Sequence, residues 1–146
     1  MDRQIIRLII DSDIKNVYFA AAALEAVCSH LSLSDNTVFN LKLCAVEAVN
    51  NCIIHAYGNE TGHEVEVVLT MDEDRVQLKV CDRGRPMNPD ILSACPACSL
   101  FDDVERAEDA KVSGRGIAII KELMDTVYYK VNGGKNCLVM TSRKTE

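Results

Sequence analysis

The stretch from Ser34 to Tyr57, SDNTVFNLKLCAVEAVNNCIIHAY, constrains the fold more than any other. It predicts one long helix. Ser34 is suited to accept from the first free N–H groups, Asp35 sits in the first turn, and Gly58 follows where a left-handed residue can end the helix. At 3.6 residues per turn, Glu47, Asn51 and His55 fall at i, i+4 and i+8 and share one face. Asn36 and Asn40 project onto the same side earlier in the helix. Most of the remaining girth is apolar, so the helix is expected to be buried with its narrow polar stripe facing a cleft. A solvent-facing stripe is usually rich in Lys and Glu, whereas this one carries amides, one carboxylate and one imidazole. Such groups need partners when buried, and a bound ligand can supply them.

A length of 146 residues suffices for one domain with its own core, spanning 1–146. Hydrophobic residues make up 48% and charged residues 26%, a balance that suits a globular chain. The net charge of −6 gives no basic footprint for nucleic acid. An anionic ligand remains compatible, because the field at a site can oppose the net charge. Seven cysteines, an odd number scattered over helix-like and strand-like segments, read as buried reduced thiols of a cytoplasmic protein. The N-terminal run MDRQIIRLII is too short for a signal peptide, and no segment approaches the roughly 18 apolar residues of a membrane span. A cytoplasmic protein without membrane contact is therefore expected.

Along the chain, residues 3–10 predict a strand whose isoleucines are too dense for clean alternation. A first helix is expected from a Ser12 or Asp13 cap to about His30. HEVEVVLTM (63–71) and RVQLKVC (75–81) alternate strongly and predict a hairpin turning at Asp72-Glu73-Asp74. Residues 82–96 hold all three prolines and read as a loop. The charged stretch over 97–113 suits a lid, placed at about 95–113. A short helix is expected from Ser113 to Met124. Strands over 126–131 and 137–142 flank Asn132-Gly133-Gly134-Lys135, a strong hairpin turn. This order implies an α+β, two-layer sandwich with helices covering one face of a mostly antiparallel sheet.

Three short segments carry chemistry together: Glu47-Ala48-Val49-Asn50-Asn51, Asp82-Arg83-Gly84-Arg85-Pro86 after a strand, and Ser113-Gly114-Arg115-Gly116 at a helix start. Each alone is common in helices and turns; their order in this topology is informative. Other matches fail. Gly114-x-Gly116 lacks the third glycine and preceding strand of a dinucleotide fingerprint, and Gly133-Gly134-Lys135 lacks the rest of a P-loop. Cys95-Pro96-Ala97-Cys98 has no second ligand pair, so neither zinc nor a redox role is expected there.

The three segments resemble the nucleotide-binding boxes of the GHKL ATPases: gyrase, the Hsp-type chaperone, histidine kinases and mismatch-repair ATPases. Within that group the chain is most similar to stand-alone serine/threonine kinases that act as anti-sigma factors. The resemblance includes His55-Ala56-Tyr57, Gly116-Ile117, Leu123-Met124-Asp125, Tyr128 and Gly134-x-Asn136 and covers nearly the whole length. Met87-Asn88 departs from the Phe-Asp or Phe-Asn frequent there. The resemblance implies the Bergerat sandwich, ATP and Mg²⁺ as cofactors, and phosphorylation of a serine on a STAS-type antagonist. It implies a sigma factor as a further partner and homodimers through the first strand and helix.

Residue by residue, the resemblance implies Glu47 as catalytic base and Asn51 as Mg²⁺ ligand, with Asn50 structural. Both roles suit the chemistry of a carboxylate and a neutral hard oxygen beside phosphates. Asp82 would accept from the adenine amino group, Gly84 and Pro86 would shape the loop beside the base, and Thr141 on the last strand would lie near the adenine. Gly114, Gly116 and Ile117 would open a helix whose N–H groups meet the phosphates, with Arg115 and Lys111 as phosphate partners. His55 reads as structural. The alternative is a nucleotide-binding scaffold that sequesters a partner without phosphotransfer. A sensor histidine kinase ranks lower, since the sequence, expected to be whole at 146 residues, has no dimerisation helix with a phosphoacceptor histidine.

Overall fold

The computed structural model describes residues 2–94 and 115–144. The lid expected at about 95–113, together with Lys111, Gly114, Cys95 and Cys98, lies outside the described residues.

Five strands build one sheet: β1 (Gln4–Asp11), β2 (Glu64–Met71), β3 (Arg75–Asp82), β4 (Thr126–Asn132) and β5 (Lys135–Arg143). Their order is β1-β2-β3-β5-β4, and every neighbouring pair is antiparallel. Helices α1 (Asn16–Cys28), α2 (Asp35–Asn51), α3 (Pro89–Ala94) and α4 (Arg115–Leu123) accompany the sheet. This is the expected α+β architecture. Its core joins Leu41, Val49 and Ile53 to Val67, Leu78, Val80 and Ile117. Fully burying an aliphatic side chain of this size contributes about 1.5–3 kcal/mol each.

Local chemistry explains the main elements. The Thr37 N–H donates to Ser34 Oγ at 3.1 Å, so Ser34 caps α2 as its sequence suggests. Asp72 Oδ1 accepts from Asp74 N and Arg75 N at 2.9 Å each, closing the β2–β3 turn. Gly133 and Gly134 both take positive φ, 60° and 80°, which the two-residue β4–β5 turn requires. The dense isoleucines of β1 do alternate: Ile6, Leu8 and Ile10 pack on the core, while Ile5 and Ile9 stand on the other face. Asp35–Ala56 is long and apolar enough to cross a membrane by length and composition, yet here it packs against α1, α4 and β3.

Four expectations need correction. Ser12 does not cap α1: it is buried, its Oγ donates to Glu60 O at 2.6 Å and accepts from His63 N at 3.1 Å. The helix instead starts at Asn16 without a side-chain cap. The long helix is not uniform. Its last turn, Cys52–Ala56, widens into a π turn in which Tyr57 N donates to Cys52 O, five residues back. The proline-rich loop contains α3, which Pro89 begins, because a missing N–H costs nothing at a first helical position. Finally, not all cysteines are thiols. Cys81 and Cys137 face each other across β3 and β5, with Cα atoms 4.2 Å apart, and form a disulfide. The other cysteines among the described residues, Cys28, Cys44 and Cys52, are free and buried.

Candidate nucleotide site

The polar stripe of α2 opens onto a cavity of about 460 Å³. Ala48, Asn51, Cys52, His55 and Ala56 form one wall, and Val80, Asp82 and Leu138 come from the sheet. Arg85, Pro86, Met87, Asn88 and Ile91 close a side, Ile117 enters from α4, and Tyr129 from β4. Apolar walls with one carboxylate suit a flat aromatic ring that bears a donor.

Asp82 ends β3 and is 8% exposed. Its Oδ1 accepts from Asn136 Nδ2 at 2.8 Å and from Gly84 N at 3.0 Å. The Cys52 thiol lies beside the same carboxylate. Burial first, and then Asp82 beside it, push the Cys52 thiol well above its ordinary value, so it stays a neutral thiol. A carboxylate has about four acceptor positions, so the two donors from Asn136 and Gly84 leave capacity for a ligand.

Gly84 is set by a close approach. A Cβ there would collide with the Ala56 carbonyl and stand 2.9 Å from the Tyr57 ring. Without one, the chain passes close enough for Arg85 N to donate to Ala56 O at 2.9 Å. The carbonyl of the π turn thereby finds its partner in the loop. Tyr57 Oη accepts from Arg83 N and donates to Glu64 O, each at 2.7 Å, and Tyr129 Oη accepts from Met87 N at 2.8 Å. Two phenols thus hold the loop from opposite ends.

At the other end of the stripe lies the junction with α4. A Cβ on Gly116 would stand 2.7 Å from Glu47 Oε1 and 3.7 Å from Asn51 Nδ2. The start of α4 therefore rests directly on Glu47 and Asn51. Burial holds the Glu47 carboxyl above its ordinary value, and the Arg115 guanidinium pulls it back down. Burial and then the Glu47 charge push the Cys44 thiol up to about 12, which makes it chemically quiet. The Asn51 side chain lines the cavity and makes no hydrogen bond among the described residues.

The structure gathers Asn51, Asp82, Pro86 and Ile117 around the cavity, with Gly84 behind the loop and Glu47, Arg115 and Gly116 at the α4 junction. Lys111 and Gly114 lie outside the described residues. Thr141 lies elsewhere. It sits three positions beyond Leu138, an odd offset that turns it to the opposite face of β5, and it pairs with Gln77 and Thr126. Sequence reasoning missed Asn136, Cys52 and Tyr129. Asn136 stands in the tail pattern Gly134-x-Asn136, but no role attaches to it until β3 and β5 are paired. Tyr129 was reachable from alternation, since Val127 and Tyr129 share the core side of β4.

A model of the histidine kinase-like ATPase domain matches residues 10–142. Among curated proteins, the chain is 31% identical over 131 residues to the serine/threonine-protein kinase BtrW of Bordetella bronchiseptica, covering 84% of this chain and 87% of that one. It is 26% identical over 124 residues to the serine-protein kinase RsbW of Oceanobacillus iheyensis, covering 85% and 76%. The anti-sigma F factor of the same organism is 28% identical over 113 residues, covering 77% and 73%. Among solved structures, a chain of the SiaB–SiaC complex from Pseudomonas aeruginosa shares the fold, with a TM-score of 0.61, 11% identity, and 93% and 89% of the two chains covered. With the match running from β1 to β5 and across every part of the cavity described, this chain belongs to the histidine kinase-like ATPase family.

Proposed function

We propose that the chain is an ATP-dependent serine/threonine protein kinase of the partner-switching kind. The observation that carries this is the junction where the start of α4 lies on Glu47 and Asn51, at one end of a cavity floored by Asp82. In this reading Asp82 accepts from the adenine amino group, and Pro86, Ile117 and the apolar walls enclose the ring. The N–H groups opening α4 and the Arg115 side chain face the phosphates. Asn51 would hold Mg²⁺, whose chemistry is to neutralise phosphate charge. Glu47 takes the proton from an attacking serine hydroxyl. A carboxyl raised by burial is a stronger base than an exposed one, which favours the kinase over a nucleotide-binding scaffold.

The protein substrate is proposed to be a STAS-type antagonist, with a sigma factor as the second partner and the cytoplasm as the place of action. Exposed Tyr18 and Phe19 on α1, 78% and 70% accessible, and Ile5 and Ile9 on the open face of β1 support contact with a protein partner or a second copy. The test is transfer of labelled γ-phosphate to the small protein that co-purifies from the native host. Mg²⁺-dependent labelling of a serine is expected. Nucleotide-dependent binding without any transfer would establish the scaffold instead.

A further inference from the structure

Asn136, the second residue of β5, lies directly opposite Asp82 and is 1% exposed. Both hydrogens of its amide are used: Nδ2 donates to Asp82 Oδ1 at 2.8 Å and to Gly84 O at 3.0 Å. Both partners are acceptors, so the amide orientation is fixed; a flipped amide would set its oxygen against a carboxylate and a carbonyl. The same orientation leaves Asn136 Oδ1 buried with no partner among the described residues. A buried acceptor without a donor is unfavourable, so the position does not serve stability alone.

We propose that Asn136 is a positioning residue for base recognition. Its two donors tie the Asp82 carboxylate to the backbone of the Gly84 loop, so the acceptor and the wall beside it present one fixed geometry to the purine. The Gly84 N–H donating to Asp82 closes the same small network, and no single hydroxyl could replace the amide. A serine or threonine at 136 could serve Asp82 or Gly84 O, but not both. Asn136 does not line the cavity, so it acts through Asp82 and not by touching the base. This inference rests on the proposed reading of Asp82 as the adenine acceptor.

The discriminating quantity is the preference for ATP over the triphosphate of unsubstituted purine riboside, which lacks the 6-amino group. It is measured by direct binding to the full chain. Wild type should prefer ATP by about tenfold or more, the scale of one hydrogen bond to a charged acceptor. Asn136→Leu, which removes both donors and the orphaned acceptor at similar volume, should bring the two ligands to near-equal affinity. Asn136→Thr should fall between, and it keeps the question open to measurement if the leucine variant does not fold. A purely structural asparagine would weaken both ligands alike and leave the ratio untouched, which overturns the proposal. A wild type with no preference would instead overturn the Asp82 reading on which it stands.

Discussion

Gly116 lies against Glu47 so closely that a methyl group in its place would stand 2.7 Å from the carboxylate oxygen Oε1. One glycine therefore sets how near the start of α4 comes to the polar stripe of α2. Gly116→Ala sets two effects against each other. Helix propensity favours alanine by about 1 kcal/mol, while the contact forces the flexible end of Glu47 aside. The second adjustment is cheap for folding and harmful to a positioned base. The variant should melt within a few degrees of wild type yet lose phosphotransfer about 10²-fold. Full activity would show that the Glu47 carboxylate need not stay where it is.

Glu47→Gln separates the chemistry of the carboxyl from its shape. Burial raises the Glu47 carboxyl in the folded chain, against the partial opposition of Arg115. The native state then holds its proton to higher pH than the unfolded state does, so ionising Glu47 lowers stability as pH rises. The glutamine variant should be the more stable protein at neutral pH, with the difference shrinking as the pH falls below the raised value. Nucleotide affinity should change little, and phosphotransfer should fall by about 10²–10⁴-fold. Thermal melts across pH and transfer rates check the two halves independently. An unchanged transfer rate would remove Glu47 from the mechanism.

These two residues also show what the sequence could disclose. Glu47, Asn51 and His55 share a face because helical spacing is local, and the Ser34 cap and the Gly133-Gly134 turn are equally local signals. Features made by distant segments were less legible. The π turn at Cys52–Ala56 meets a loop that arrives after two intervening strands, where Gly84 and Arg85 close on Ala56. Ser12 looked like a cap, yet it is taken by Glu60 and His63 from the segment leading into β2. The Cys81–Cys137 and Asp82–Asn136 pairs exist only through the β3–β5 register. Thr141 shares a strand with Asn136, and strand alternation put it on the wrong face for the cavity.

Asn51→Ala tests the cation. Asn51 lines the cavity, and its amide makes no protein hydrogen bond among the described residues, so truncation leaves no buried group orphaned. The fold should persist with little change in melting temperature. Affinity for ATP without Mg²⁺ should be nearly that of wild type, while the gain on adding Mg²⁺ should largely disappear. Calorimetric titration with and without the ion measures both. A wild type that binds ATP equally in the two conditions would sink the assignment of Asn51 as the ligand.

Asp82→Asn addresses the base. In wild type the carboxylate takes donors from Asn136 and Gly84, with the Cys52 thiol beside it, while keeping acceptor capacity toward the cavity. An asparagine can satisfy the first donors with its oxygen, but its NH₂ group must then point toward the ligand or Cys52. Toward the ligand, that donor would meet the adenine amino group, donor against donor. A buried mismatch of this kind costs about 1–3 kcal/mol, or roughly 5- to 150-fold in affinity. ATP should weaken by that much, and a triphosphate whose base carries an acceptor at the 6-position should lose less or improve. The comparison of ATP with GTP in wild type and variant reads this directly. If wild type binds both nucleotides equally, the carboxylate at position 82 is not what selects the base.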